Sequence, residues 1–326
     1  MISHEIFENC VMRAALAPTV HNTQPARWVR DGDVLSLFCD TNVGLTVGDP
    51  TGRDAALSCG AVLEAMVLAL SAHGIAACAT LTDKDTSPGQ GLVAVAHLTL
   101  SRGPKDGLHA QLERRFTWRG LFASQPVQLY GWTRADTRLI VDLTSRDWIA
   151  ERNDWASFEI MQSAGFRHEL VNWMRLNDRH PRAGLDGMDR ASMRLSRGEA
   201  RAVPFVLIKL WRFLNVFGFT KNFNTEHEVT LTSPLIALFH CDITESPIAS
   251  GRAYLRLCLE AASLGFAGWP MAAVSDHLTT NRQVCDRFGI APDRRLVQVI
   301  RFGIPTGDAP RRSRRPLAEV LRKSRP

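Results

Sequence analysis

Apolar residues recur in the same order in the two halves of the chain. The first recurring block has the length of a long helix: one apolar run leads from Gly60 to Gly74, and another leads from Gly251 to Gly265 over the same distance. A glycine directly after the last apolar position is typical of a helix C-terminus. The pattern therefore predicts one long helix in each half and, by its recurrence, an internal repeat.

A second recurring block follows each helix. A run that begins at Leu92 leads to Gly103, and a run that begins at Leu296 leads to Gly307 with the same spacing. Short apolar runs bounded by glycine predict strands. Each half is therefore predicted to be an α+β unit, and the two units are expected to pack within one chain as the subunits of a homodimer would.

The two predicted lobes differ in length. We place the boundary near Pro104, which gives a first lobe of residues 1–104 and a second lobe of residues 105–326. Since the second lobe is much longer, it should contain an insertion. The segment 180–230 is rich in Arg, Met and aromatic residues, and we predict that it forms a lid.

The most apolar stretch of the chain lies inside this segment, at residues 203–219. It carries Lys209 and Arg212 and is bounded by Pro204 and Gly218. It is too short and too charged to span a bilayer. A buried helix, an apolar lid and a helix that lies on a membrane surface remain open interpretations.

The formal net charge of +6 is concentrated at the C-terminus, where residues 310–326 carry seven Arg or Lys against one Glu. The remainder is close to neutral, which argues against a nucleic-acid-binding face because such faces need dispersed basic residues. A local anion site or a solvated basic tail fits this distribution better. The net charge and the apolar stretch at residues 203–219 leave a nucleic-acid-binding or membrane-surface protein as an open interpretation.

Other classes of site have little support. The seven cysteines are widely spaced without the spacing of metal ligands, which predicts reduced core residues and no metal site. The chain has no glycine-rich dinucleotide motif, Walker loop or nucleophile elbow. The first residues lack a basic region followed by an apolar run, so we expect a cytoplasmic protein.

Three segments carry residues suited to ligand binding. The first, at 17–25, packs prolines, a hydroxyl, an Asn and a Gln into a turn; the second, at 114–119, and the third, at 312–316, are rich in arginine. Guanidinium groups can bind phosphate oxygens in a bidentate manner. A capped turn and two solvated charge runs are the structural alternatives.

Together these segments resemble the nitroreductase family. Nearly the full length of the chain is similar to its fused, single-chain branch, the mycobacterial Acg proteins. The resemblance is carried by APTVHNTQPARW (17–28), DPTGRDAALSCGAVLEAMVLAL (49–70), LERRFTWRGLF (112–122), ELVNWMR (169–175), GFAGWPM (265–271) and RRSRRPLAEVL (311–321).

The resemblance implies that one FMN binds between the two halves, because only the first half carries the Asn-x-Gln-Pro turn and only the second carries the arginine-rich phosphate motif. The implied phosphate ligands are Arg115, Thr117, Arg119, Arg312 and Arg314. The residues implied at the isoalloxazine ring are Pro18, Thr19, Val20, Asn22 and Gln24 of the turn, Asn172 and Arg175 at the pyrimidine edge, and Met271 and Ala272 through their backbone near N5.

The implied activity is that of an FMN-dependent oxidoreductase. NADH or NADPH would deliver hydride to flavin N5, and a small organic acceptor such as a nitroaromatic, a quinone or a specific metabolite would take the electrons. No catalytic side chain is expected, since the flavin performs the chemistry. The alternative is a flavin-binding protein whose lid sequesters FMN with little turnover. The pseudo-dimer would exist as a monomer or a weak homo-oligomer.

Overall fold

The computed structural model describes residues 2–32, 34–82, 91–124, 128–222 and 225–322. The helices are α1 (His4–Ala14), α2 (Arg53–Ser71), α3 (Leu143–Ile160), α4 (Ala164–Asn172), α5 (Arg197–Phe205), α6 (Trp211–Val216), α7 (His227–Thr232), α8 (Pro247–Ser263), α9 (Ala272–Asp276), α10 (Leu278–Phe288) and α11 (Leu317–Val320). The strands are β1 (Ala26–Asp31), β2 (Val34–Asp40), β3 (Ile75–Leu81), β4 (Leu92–Arg102), β5 (Thr137–Ile140), β6 (Met174–Arg175), β7 (Met188–Asp189), β8 (Leu235–Asp242), β9 (Ala267–Pro270), β10 (Arg294–Gly303) and β11 (Leu321–Arg322).

The two main sheets share one topology. In the first sheet the strand order is β11-β1-β2-β4-β3, and in the second it is β5-β8-β10-β9. In both sheets the long helix follows the second strand, the next two strands pair antiparallel, and a register irregularity interrupts the central pair. The mixed α and β fold is confirmed, and the recurrence read from the apolar pattern is visible in the order of the strands.

The two long helices α2 and α8 pack against each other at the glycines of the repeat. A Cβ at Gly60 would lie 2.1 Å from the Ile248 carbonyl oxygen, and a Cβ at Gly251 would lie 2.0 Å from the Leu57 carbonyl oxygen. Each glycine thus admits the backbone of the opposite helix. The chain leaves the helices at Ser71 and Ser263, and the glycines that follow, Gly74 and Gly265, have positive φ of 71° and 82° as glycines after helix C-termini do.

The helix pair also carries a buried ion pair that joins the two halves. Glu64 on α2 is almost fully buried, and its oxygens lie 2.7 and 2.6 Å from the Nε atoms of Arg252 and Arg256 on α8. Helix α2 is long and apolar enough to cross a membrane by length and composition, but most of it is buried inside the protein. Its apolar surface is therefore used as core.

The second half is longer because residues 141–234 separate β5 from β8, whereas only two residues separate β1 from β2. The predicted lid segment falls inside this insertion, which begins earlier than the sequence suggested. Part of it forms a satellite core that contains Met161, Met174, Met188, Leu207 and Trp211.

The C-terminal segment returns from the second half to the first. Its strand β11 pairs parallel with β1, with Trp28 opposite Leu321. Residues 311–316 are consequently placed against the turn that precedes β1, and this arrangement positions the candidate site.

Candidate functional site

The three segments singled out in the sequence meet around one cavity of about 130 Å³. The turn contributes Pro18, Thr19, His21 and Asn22. The other lining residues come from residues 115–119, from the insertion and from the C-terminal segment, and they are Arg115, Phe116, Thr117, Arg119, Gly187, Met188, Asp189, Ser192, Pro310, Arg311, Arg312, Ser313 and Arg314.

The turn at the cavity has a strained backbone. His21, Asn22 and Gln24 have φ of 43°, 55° and 53°, a region that residues other than glycine rarely adopt. Such conformations cost about 1–3 kcal/mol each and cluster at functional sites. The Thr19 hydroxyl helps to hold the turn by accepting a hydrogen bond from the Gln24 backbone N–H at 3.2 Å.

Two amide side chains fasten this turn to the rest of the site. The Asn22 amide donates to the carbonyl oxygens of Gly187 at 3.0 Å and Ser313 at 3.1 Å. The Gln24 amide donates to the Leu185 carbonyl at 2.8 Å and accepts from the Arg315 backbone N–H at 2.9 Å. The turn therefore joins the first half of the chain to both the insertion and the C-terminal segment.

Four of the five arginines that line the cavity have no acidic partner among the described residues. Arg115 and Arg314 donate to the Leu16 carbonyl, and Arg119 donates to the Ser192 carbonyl. Arg312 reaches backbone carbonyls at 113 and 115. Within the described ranges, no carboxylate lies within ion-pair distance of any of these four guanidinium groups, although many other arginines of the chain have one.

Burial makes these cations costly. It lowers the pKa of Arg115, Arg119 and Arg312. The pKa of Arg314 falls to about 9, mainly because the group is buried and also because Arg115 and Arg312 are near. Such a concentration of buried positive charge is stabilised by an anion.

One acidic residue, Asp189, also lines the cavity. Its carboxylate accepts hydrogen bonds from the Ser313 hydroxyl at 2.8 Å and from the Ser192 backbone N–H at 2.7 Å. One carboxylate against the five guanidinium groups of Arg115, Arg119, Arg311, Arg312 and Arg314 leaves the wall with an excess of positive charge.

The imidazole of His21 is buried at the same cavity. Burial, followed by the charge of Arg119, lowers its pKa to about 4, so the ring is neutral at pH 7. The Nδ1 atom of His21 is buried without a hydrogen-bond partner in the described part of the chain, and so is the Nε atom of Arg314. Two buried polar atoms beside one cavity are therefore unpaired within the described residues, which is uncommon in folded proteins.

The buried carboxylate of Asp186, which is next to the cavity residue Gly187 in sequence, binds the C-terminal segment. Asp186 is 2% exposed and pairs with Arg175 at 3.1 Å, Arg182 at 2.9 Å and Arg315 at 2.7 Å. Arg182 and Arg315 also reach Glu319 at 2.8 and 3.1 Å. Asp186 thus joins the insertion to the C-terminal segment.

Comparison with known proteins supports the resemblance. No protein-family profile matches the chain. A Mycobacterium tuberculosis protein named acg, assigned as an NAD(P)H nitroreductase, is 38% identical over 77 residues, which are 24% of this chain and 23% of the relative. Another M. tuberculosis protein named as an NAD(P)H nitroreductase is 44% identical over 61 residues, 19% of this chain and 18% of the relative.

The resemblance to Acg-like nitroreductases is confirmed. The matched segments span about a quarter or less of the length of these two relatives. Among solved structures, the FMN-dependent nitroreductase NfnB from Mycobacterium smegmatis in complex with NADPH is 21% identical with a TM-score of 0.38, over 67% of this chain and all of that one. A nitroreductase family protein from Streptococcus pneumoniae is 17% identical with a TM-score of 0.27, over 41% of this chain and 90% of that one.

The structure brings together most of the residues that the Acg-like motifs imply. Eight of them line the cavity: Pro18, Thr19, Asn22, Arg115, Thr117, Arg119, Arg312 and Arg314. The other six do not line it: Val20, Gln24, Asn172, Arg175, Met271 and Ala272.

Several of these six residues use their polar groups in hydrogen bonds or ion pairs with other residues of the chain. The Val20 N–H donates to the Ser58 hydroxyl at 3.0 Å. The Arg175 cation pairs with Asp186, and the Met271 N–H donates to the Val299 carbonyl at 2.7 Å. Asn172 and Ala272 are exposed at the end of α4 and the start of α9.

Sequence reasoning missed the part of the wall that the insertion supplies: Gly187, Met188, Asp189 and Ser192. Two of these residues are placed by the short parallel pair β6–β7, in which Met174 lies opposite Met188 and Arg175 lies opposite Asp189. A pair of two-residue strands leaves no periodicity in a sequence, so no local pattern could have predicted it.

Proposed function

We propose that this chain binds one FMN in the cavity, with the phosphate at Arg115, Arg119, Arg312 and Arg314, and acts as an NAD(P)H oxidoreductase of nitroreductase type. The observation that carries the proposal is the set of four guanidinium groups at the cavity, one buried and three half-buried, without a carboxylate partner in the described residues. The relatives named as NAD(P)H nitroreductases support the same class of reaction.

The chemistry of the donors fits a phosphate linked to a polar ring. Guanidinium groups donate in pairs to phosphate oxygens, and such charge-assisted bonds are about twice as strong as neutral ones. The Thr117 hydroxyl adds a donor on the same wall. The unsatisfied atoms of Arg314 and His21 lie among these groups, so a polar ligand would complete their hydrogen bonds.

The residues of the chain would bind and orient the cofactor. When bound, FMN would supply hydride transfer between a reduced nicotinamide and a small organic acceptor such as a nitroaromatic, a quinone or a specific metabolite. The arginines would stabilise its negative charge inside a wall that carries a positive excess. The Asn22 amide fixes the turn against the insertion and the tail, and the neutral His21 adds no charge.

We also propose that each half of the chain supplies a different part of this one site. Residues 1–104 would contribute the turn, and residues 105–326 would contribute the arginines and the insertion. The crossing of α2 and α8 holds these parts together.

A second candidate function is retention of FMN with little turnover. The observation that favours it is that the insertion supplies part of the cavity wall and that Asp186 joins the insertion to the C-terminal segment. If this part of the wall closed further over a bound flavin, it would exclude a nicotinamide.

The test of cofactor binding compares two variants. Arg115→Ala with Arg119→Ala should abolish FMN retention and leave the circular dichroism spectrum unchanged. The matched control is Arg114→Ala, because Arg114 is an exposed neighbour that does not line the cavity. Full flavin retention by the double variant would show that the phosphate binds elsewhere.

The test of turnover uses the flavin-loaded protein without oxygen. Rapid bleaching of the flavin absorption band on addition of NADH or NADPH supports the oxidoreductase. A band that persists while the flavin remains bound supports sequestration. A colourless protein that takes up no added FMN would refute both functions.

A further inference from the structure

The insertion presents an exposed row of alternating basic and aromatic residues. Helices α5 and α6 are continuous through a π-helical turn at Val206–Leu210. Along this continuous helix, exposed residues recur every four positions: Arg201, Phe205, Lys209, Phe213 and Phe217. Residues four apart lie on the same side of a helix.

The opposite side of the same helix is anchored in the protein. Leu207 and Trp211 are 2% and 3% exposed and belong to the satellite core with Met174 and Met188. Met188 also lines the cavity. The exposed row is therefore held in a fixed orientation by a well-packed helix.

Several large apolar side chains in this row and directly beside it are exposed. Phe205, Phe213, Val216, Phe217 and Phe219 are between 56% and 82% exposed, and the rings of Phe213 and Phe217 lie 4.9 Å apart. Every large exposed phenylalanine in the described residues lies in this stretch. Monomeric proteins rarely expose such a contiguous apolar patch unless it binds something.

The net positive charge of the helix favours an anionic partner. Its exposed charged residues are Arg197, Arg201, Lys209 and Arg212 against a single acid, Glu199. A basic, amphipathic helix with exposed phenylalanines is typical of helices that lie in a membrane interface and favour anionic lipids. A second copy of the chain fits less well, because a two-fold interface on this row would bring its basic residues together.

We propose that residues 197–219 dock the protein on the surface of a bilayer that contains anionic lipid, with Phe213 and Phe217 inserted among the lipids. This docking does not depend on the bound cofactor. It is peripheral, since the helix lies along the protein surface and its inner side is buried against the satellite core.

The test is flotation of the full chain with phosphatidylcholine vesicles, with and without phosphatidylglycerol. Wild type should bind the anionic vesicles, and Phe213→Ser with Phe217→Ser should bind at least tenfold more weakly, because each buried phenylalanine contributes a factor of about ten or more. These substitutions keep the net charge, so their effect reports insertion. The control is Tyr130→Ser with Leu278→Ser, two exposed residues outside the row.

A charge-reversal variant tests whether binding depends on the negative charge of the lipids. Lys209→Glu with Arg212→Glu should lose binding to anionic vesicles. The proposal would be overturned if the phenylalanine double variant or the charge-reversal double variant bound anionic vesicles as well as wild type does. It would also be overturned by a wild type that binds neither kind of vesicle, or by one that forms a dimer in analytical ultracentrifugation that the phenylalanine variant dissolves.

Discussion

Replacing Arg314 with methionine should have opposite effects on the stability of the FMN-free protein and on FMN binding. The guanidinium group donates to Asn22 Oδ1 at 3.1 Å, to its neighbouring carbonyl at 313 and to the Leu16 carbonyl. Its pKa near 9, lowered from 12.5, corresponds to a cost of about 5 kcal/mol for holding the cation, since one pKa unit equals about 1.4 kcal/mol. Methionine keeps most of the apolar stem.

The three hydrogen bonds lost are worth about 1 kcal/mol each. Relief of the charge exceeds that loss, so we expect Arg314→Met to raise the free energy of unfolding of the FMN-free protein by about 2 kcal/mol. Binding should change in the other direction. Loss of one charge-assisted contact of about 1.5–3 kcal/mol should weaken FMN affinity roughly ten- to hundredfold.

Urea unfolding at pH 7 measures the first effect, and titration of the FMN-free protein with FMN measures the second. A third measurement is the melting temperature with and without inorganic phosphate, because an anion that binds only the folded state raises the melting temperature. Arg114→Met is the control and should leave all three unchanged. A variant that loses several kcal/mol of stability would show that Arg314 is a structural residue, and an unchanged FMN affinity would place the phosphate elsewhere.

Three further changes test other parts of the structure. Gly60→Ala should destabilise the protein by about 2 kcal/mol or more because its methyl would meet the backbone of α8. Gly198→Ala, whose methyl would approach only Ser196 Oγ, at 4.0 Å, should be neutral or stabilising in urea unfolding. Because the folded-state pKa of His21 is lowered to about 4, wild type should lose stability as pH falls from 6.5 to 4, and His21→Asn should flatten that loss; equal slopes would refute the burial of a neutral ring. Asp186→Asn should cost about 3 kcal/mol by leaving buried arginines without their carboxylate, and trypsin should then cut the C-terminal segment faster; unchanged cleavage would show that other contacts hold the tail.

Local patterns predicted the parts of the fold that depend on near neighbours. The spacing of the repeat predicted two long helices ended by Gly74 and Gly265, and both helices are present. The same pattern marked Gly60 and Gly251 without revealing why they are glycines. Their reason is the close approach of α2 and α8, which lie almost 200 residues apart in sequence.

The candidate site could be predicted only in part. The chemistry of the turn and of the arginine-rich segments was readable, and these segments do meet at one cavity. The contribution of Met188 and Asp189 was not readable, because the insertion reaches the cavity through long-range packing. Nor was the role of Asp186, whose three arginine partners include one 129 residues away.

The sequence by itself determined which residues carry positive charge at the C-terminus, but only the tertiary structure decided what each charge does. Arg314 and Arg315 are adjacent and chemically identical. Arg314 lines the cavity without an acidic partner in the described residues, whereas Arg315 pairs with Asp186 and Glu319. Neighbouring side chains leave the backbone in different directions, and the groups they meet come from segments that only folding brings near.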